Sequence, residues 1–222
     1  MLEVLECGSA ASIQDGGRFG YRRFGVSTAG AMDRRALALC NTLVGNKFDA
    51  AAIEIPLTKA TFRVIGGPIL IAACGPGTSF SVSGLSVDKN SSIIANSGDT
   101  IHVGAPKNGV YSYIAVAGGI QTNLSLDSRS THRRSGIGCN VLSPGQKLPC
   151  KDYMSKDVFI LEKKFENFFD QRLRVLRGPQ EHFFDSAAWS NFLSSYYVVT
   201  AQSDRMGQKL AGEPIRSSKG YD

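Results

Sequence analysis

The stretch Ile13-Gln14-Asp15-Gly16-Gly17-Arg18-Phe19-Gly20, preceded by Glu3-Val4-Leu5-Glu6-Cys7-Gly8 and followed by Phe24-Gly25, decides how this chain is read, because it comes back. Near the other end stand Arg174-Val175-Leu176-Arg177-Gly178-Pro179 and then Ala201-Gln202-Ser203-Asp204-Arg205-Met206-Gly207, with Ala211-Gly212. Each copy has Val-Leu shortly before a glycine, then a spacer, then Gln with Asp, Arg and Gly close behind. The copies lie roughly 170 residues apart, far beyond the period of a solenoid repeat, so the spacing suits two tandem domains. About 50 residues of the second copy are present, too few for a core of that size. The expected organisation is a domain over 1–150, a connection over 151–171, and the opening part of a second, incomplete copy over 172–222.

Short runs rich in Val, Ile, Phe and Tyr recur between Gly, Pro, Asn and Ser punctuation. Strands are predicted at Leu2–Leu5, Ala52–Pro56, Thr61–Ile65, Pro68–Ala73, Ser79–Ser83, Ser92–Ala95, Thr100–Val103 and Val110–Ala117. That density predicts a mainly β protein, a barrel or a sandwich. One segment differs. Apolar residues at 32, 36, 39, 40 and 43 form a helical face over Met32–Val44, with Gly45 as its stop and hydroxyls of Ser27 and Thr28 as candidate caps. In the second copy a strand is expected at Arg172–Leu176, a helix at Trp189–Leu193 and a strand at Tyr196–Thr200, with a short helix at Lys164–Phe169 before them.

Composition narrows the function classes. Hydrophobic content of 42% and charged content of 20% suit a soluble globular protein. The longest apolar run, Ile69 to Cys74, is too short to cross a bilayer. The start Met-Leu-Glu-Val has neither a basic region nor an apolar core, so no secretory signal is expected. Five cysteines without a CxxC pair point to reduced thiols in the cytoplasm rather than a disulfide framework or zinc site. The net charge of +6 is gathered in two groups, Arg18, Arg22, Arg23, Arg34 and Arg35, and Arg129, His132, Arg133 and Arg134. They suit either a solvated basic surface or a pocket for a small anion. Nucleic acid is disfavoured, because the aromatics are not interleaved with the basic groups in the way a stacking platform requires.

Three constellations are candidates for chemistry. Gln14–Arg18 is either a turn with an Asp15–Arg18 ion pair or a holder for a polar substrate. Ser27-x-x-Gly30-Ala31-Met32-Asp33-Arg34 puts a helix N-terminus and an arginine together, which suits an oxyanion, although Asp33 opposes an anion beside it. Asp127-Ser128-Arg129-Ser130-Thr131-His132-Arg133 follows the strand that ends at Ala117-Gly118-Gly119; it is either an oxyanion-wrapping loop or a plain surface loop. No GxxxxGK[ST], GxSxG or HExxH occurs, and no Ala-Met-Lys-Met segment is present to carry biotin.

Taken together, Gln14-Asp15-x-Gly17-Arg18-x-Gly20-Tyr21, Gly25-Val26-x-x-x-Gly30-Ala31-Met32-Asp33-Arg34, Ala115-Val116-Ala117-Gly118-Gly119-Ile120, Ser128-Arg129-Ser130-Thr131 and Gln202–Gly207 resemble one known family. It is the family of the C-type subunit of 5-oxoprolinase, also called allophanate hydrolase subunit 2 or the biotin-dependent carboxyltransferase family. The resemblance implies two cyclophilin-like β-barrel domains in tandem. It also implies a B-type partner (subunit 1) that shares the active site, and an A-type partner beside it. It implies a cytoplasmic complex that uses ATP to open 5-oxoproline to glutamate. Other members of that family imply carboxyl transfer from biotin to urea, or a non-catalytic regulatory partner of a kinase inhibitor. The resemblance assigns no catalytic residue and no metal. By its motifs, Arg34 or Arg129 holds the substrate carboxylate, assisted by Ser128, Ser130 and Thr131. Amides around Gly30, Ala31 and Met32 hold an oxyanion. Asp15, Arg18, Asp33, Asp204 and Arg205 support these groups. No ATP contact is assigned to this chain.

Overall fold

The computed structural model describes residues 1–88, 91–161 and 173–218. The chain divides into two units, Met1–Glu166 and Asn167–Asp222.

Alternation along the strands organises the first unit. One antiparallel sheet is built from β1 (Leu2–Glu6), β4 (Ala60–Val64), β6 (Phe80–Val82), β7 (Leu85–Ser86), β9 (Thr100–Val103) and β11 (Lys147–Leu148). Their order across the sheet is β11-β1-β4-β9-β6-β7. The second sheet has β2 (Ser12–Gln14), β3 (Ala52–Pro56), β5 (Ile69–Cys74), β8 (Ile93–Ala95) and β10 (Tyr111–Val116), in the order β2-β3-β10-β5-β8. Leu2, Val4, Phe62, Val64, Ile101 and Val103 of the first sheet meet Ile53, Ile55, Ile69, Ile71, Ile114 and Val116 of the second in one buried core.

The second sheet is also covered on its other face. Successive side chains point to opposite faces, so Leu70, Ala72, Cys74, Tyr113 and Ala115 form a second buried cluster against α1 (Arg34–Thr42), through Leu37 and Cys40. That explains why β5 is buried at every position, as a strand covered on both faces must be. The first sheet keeps Glu3, Arg63 and His102 on its open face, where Thr61 Oγ1 lies 3.1 Å from His102 Nδ1.

The mainly β architecture expected from the sequence is present, and each strand predicted in the first unit lies within one or two residues of an observed one. The short strands β2, β7 and β11 escaped a reading based on apolar runs. The helix is shorter than predicted and starts at Arg34. Its cap is Asp33, whose carboxylate accepts from the amides of Arg35 and Ala36, and not a hydroxyl of Ser27 or Thr28. Residues 151–161, expected as part of a connection, are fastened to the first unit. The Tyr153 amide donates to Pro68 O at 2.7 Å, and Phe159 exchanges hydrogen bonds with Ser92.

In the second unit, α2 (Ser186–Ser194) is capped by Asp185, and β12 (Tyr197–Val199) pairs with β13 (Leu210–Gly212). The helix and strand expected at Trp189–Leu193 and Tyr196–Thr200 fall on these elements. The strand expected at Arg172–Leu176 is not formed over 173–176, where no neighbouring strand among the described residues supplies ladder bonds. Arg172 and the short helix expected at Lys164–Phe169 lie outside the described residues.

The core sets a stability expectation. Ile114→Ala removes a fully buried side chain between the sheets and should lower unfolding free energy by about 2–5 kcal/mol. Arg63→Ala on the open face, where the side chain is 52% exposed, should shift it by no more than about 0.5 kcal/mol. Urea denaturation of both variants checks the pair.

Candidate functional site

The sequence motifs converge on the carboxylate of Asp15. β2 runs into the turn Gln14–Arg18, in which Asp15 Oδ1 accepts from the Gly17 amide at 2.8 Å. More than a hundred residues later the loop after β10 returns to it. Ser128 Oγ donates to Oδ1 at 2.7 Å, the Arg129 amide donates to Oδ2 at 2.6 Å, and Ser130 Oγ donates to Oδ1. Ser130 Oγ also accepts from the Asp15 amide at 3.0 Å, and Ser128 Oγ accepts from the Ser130 amide at 3.0 Å. Burial pushes the Asp15 carboxyl up, but the hydroxyls of Ser130 and Ser128 and the amides of Arg129 and Gly17 outweigh it and hold it below its ordinary value.

The third motif segment is pressed on the first. Gly30 and Gly17 have φ of 89° and 95°. A side chain on Gly30 would begin 3.1 Å from the Gly17 backbone, and one on Gly17 would begin 2.8 Å from Thr28 O. The close approach lets the Ala31 amide donate to Asp15 O at 3.0 Å and the Arg18 amide to Thr28 O at 2.8 Å. Only glycine tolerates both demands at once.

Arg18 does not pair with Asp15. Its guanidinium is buried and donates to the carbonyls of Ser130 and Ser125, with Asp15 offsetting part of the cost of burying the cation. It braces the same loop from inside. That loop contains Leu126 and Asp127 at φ of 53° and 60°, strained for non-glycine residues, and Tyr21 holds Asp127 through a 2.7 Å hydrogen bond.

A second acid, this one buried and missed in the sequence, fixes the approach to α1. Glu54 Oε2 accepts from the Met32 amide at 2.9 Å and from Tyr113 OH at 2.7 Å, while Tyr113 OH accepts from the Asp33 amide at 2.8 Å. The signal was there: Glu54 is the one charge in the apolar run Ala52–Pro56, and a buried charge needs partners.

These contacts revise the roles expected from sequence. The amides of Ala31 and Met32 already have internal acceptors, and Asp33 fills the N-terminus of α1 with its own carboxylate, so that end of the helix does not offer the expected oxyanion hole. Ser128, Ser130 and Thr131 are buried, and the hydroxyls of the two serines are spent on Asp15. In this structure they build the loop. Thr131 is tied by its amide to Ile13 O and by its carbonyl to Gln14. His132 closes its own turn with Ser135.

The two arginines expected to hold the substrate carboxylate are both accessible. Arg34 is exposed, and its guanidinium makes no hydrogen bond or ion pair among the described residues. Arg129 is half-buried. Its Nε donates to Thr122 O at 2.8 Å and its Nη2 to Gln121 Oε1 at 3.4 Å, which leaves Nη1 open. Asp204 and Arg205 belong to the second unit. There Asp204 Oδ1 accepts from the Met206 amide at 2.7 Å, the same local turn that Asp15 makes with Gly17. Among the described residues no three His, Cys, Asp or Glu side chains gather as a metal site, and no helix is long and apolar enough to cross a membrane.

The Asp15 hydrogen bonds carry a pH signature. A carboxyl held below its ordinary value of 3.8 contributes stability that is present above that value and lost as pH falls through the lower folded value. Asp15→Asn should cost about 2–4 kcal/mol at neutral pH and should flatten this acid limb of the stability curve. Thermal melts between neutral and strongly acidic pH measure both effects.

With this geometry in place, similarity to known proteins becomes interpretable. Residues 24–221 match the family described as carboxyltransferase domain, subdomain A and B. The chain is 34% identical to the C-type subunit of 5-oxoprolinase from Escherichia coli K12, over 97% of this chain and 70% of that protein. It is 30% identical to urea amidolyase of Lachancea kluyveri, over 95% of this chain and 12% of that protein. The crystal structure of TTHA0988 superposes with a TM-score of 0.81 at 29% identity, over 96% of this chain and 42% of that one. The chain belongs to the carboxyltransferase domain family, subdomains A and B.

Proposed function

We propose that this chain is the C-type subunit of a 5-oxoprolinase-type enzyme, working with A-type and B-type partners to open 5-oxoproline to glutamate at the expense of ATP. The observation that carries the reading is Arg129, whose main chain is locked to Asp15 and whose guanidinium is held from behind while Nη1 stays open. A guanidinium fixed in this way is prepared for a carboxylate. Arg34 is the second cation in reach of solvent for that task.

The chemistry divides among the partners. The lactam C–N bond breaks, water supplies hydroxide to the carbonyl carbon, and the nitrogen takes a proton. ATP supplies the driving force. No phosphate-loop motif occurs in this sequence, and Asp33 fills the N-terminus of α1 with its own carboxylate, so neither feature offers a phosphate site. The nucleotide is therefore assigned to the other two proteins. This chain binds and orients the substrate carboxylate on a surface shared with a homologue of the B-type partner. The cytoplasm supplies ATP and keeps the five free thiols reduced.

A second reading rests on the match to urea amidolyase. In it the same surface serves carboxyl transfer to the nitrogen of urea or a related amide, with biotin on another protein.

Reconstitution decides between them. With homologous A-type and B-type partners, ADP release should depend on 5-oxoproline and resist avidin. Arg129→Ala should lower kcat/KM by about 100-fold, with Arg129→Lys recovering part of it. Avidin-sensitive, urea-dependent turnover would favour the second reading. An Arg129→Ala complex as active as wild type would remove Arg129 from the site.

A further inference from the structure

Three loop segments of the first unit, residues 19–26, 124–127 and 132–138, meet around the buried Arg18 guanidinium. Its Nε donates to Ser125 O at 3.4 Å and its Nη2 to Ser130 O, and a side chain begun at Gly138 would stand 3.4 Å from that Nη2. Further bonds hold each segment in place. Tyr21 OH donates to Asp127 at 2.7 Å, Arg22 Nε donates to Thr28 Oγ1 at 3.1 Å, and the His132 amide donates to Ile137 O at 2.8 Å. The surface they form is ordered before anything binds, which keeps the entropic cost of association low.

Its side chains are not those of an ordinary solvated surface. Phe19 and Phe24 are 66% and 68% exposed, Leu124 is 58% exposed and Leu126 39%. Single exposed apolar residues are commonplace, but these four are gathered on segments that meet, which is the mark of an interaction site. Leu126 holds φ of 53° while it stays exposed, so neither backbone preference nor burial accounts for a leucine there. The same segments carry Arg22, Arg23, Arg133 and Arg134, all exposed, with the Arg23 guanidinium 4.8 Å from the centre of the Phe24 ring. The one acid in the three segments is Asp127, which accepts from Tyr21, and Asp15 of the preceding turn is taken by its four donors.

We infer that this surface docks a partner protein whose own face has an apolar centre and a carboxylate rim. The four apolar side chains take the centre and the four arginines take the rim. The inference rests on the proposed function, in which a homologue of the B-type partner shares the surface around Arg129, and it places the docking of that homologue. Segment 124–127 runs directly into Ser128 and Arg129, so a protein seated on it borders the Arg129 guanidinium and leaves that group to the substrate. Nucleic acid is the poorer occupant, because leucine offers a base no stacking face.

The test is calorimetric titration of the full chain with a B-type homologue, in wild type and three variants. Phe24→Asp and Arg23→Glu alter the surface. Lys107→Glu reverses an exposed charge between β9 and β10, at the other end of β10 from segment 124–127. The two surface variants should each raise Kd about tenfold or more, with Lys107→Glu unchanged and all three matching the wild-type urea midpoint. Binding of the wild type should weaken as salt is raised. Wild-type affinity in either surface variant, or an equal loss in Lys107→Glu, overturns the docking surface; 5-oxoproline turnover by the complexes those variants still form leaves the 5-oxoprolinase reading standing. A complex that both surface variants break but that consumes no 5-oxoproline upholds the surface and removes that reading. A wild-type chain that binds no B-type homologue overturns both. Single-stranded RNA or phosphatidylserine vesicles that bind the wild type and are lost in both surface variants, with the homologue's Kd unchanged, assign the surface to that ligand and overturn the proposal.

Discussion

The carboxylate of Asp15 is the fastening on which the rest of the site depends. It collects four donors, from Gly17, Ser128, Arg129 and Ser130, and three of them come from a loop more than a hundred residues away in sequence. A loop of that length has no local reason to hold Leu126 and Asp127 at positive φ or to bury Ser128 and Ser130. Charge-assisted hydrogen bonds to one anion supply the reason, since bonds to charged groups are worth about 1.5–3 kcal/mol each. The outcome is that the Arg129 main chain has one place to be. The side chain is then steadied by Thr122 and Gln121.

The two-faced sheet explains how this loop and the α1 approach come to share one region. β3 and β10 put their odd and even residues to different uses. Ile53 and Ile114 fill the space between the sheets, while Glu54 and Tyr113 face the helix side and capture the amides of Met32 and Asp33. Two acids, the half-buried Asp15 and the buried Glu54, thus hold two motif segments, one against β2 and one against the central strands. The guanidinium groups of Arg34 and Arg129 are not consumed by either acid.

Much of the fold was legible because its signals are local. Alternation in Phe80–Val82 and Thr100–Val103, and the unbroken apolar run Ile69–Cys74, mark strands covered on one face or on both. The helix was legible from its apolar spacing, although its cap was not, because Asp33 and Thr28 are both acceptable capping residues by type. The site was legible as a set of motifs but not as a division of labour. A serine that touches substrate and a serine that props a loop look the same in sequence. Only the structure shows that the hydroxyls of Ser128 and Ser130 bond to Asp15. Glu54 was overlooked because a strand reading counts its apolar neighbours. In the second unit the Asp204 carboxylate accepts from the amide two residues on, as the Asp15 carboxylate does in the first.

The central claim is that Asp15 and the Ser128–Ser130 loop act as one energetic unit. A double-mutant cycle with Asp15→Asn and Ser128→Ala, measured by urea denaturation, tests it most directly. The account predicts a coupling energy of about 1–2 kcal/mol between the two positions. Additivity within about 0.3 kcal/mol would mean that the contact holds no energy and that something else positions Arg129.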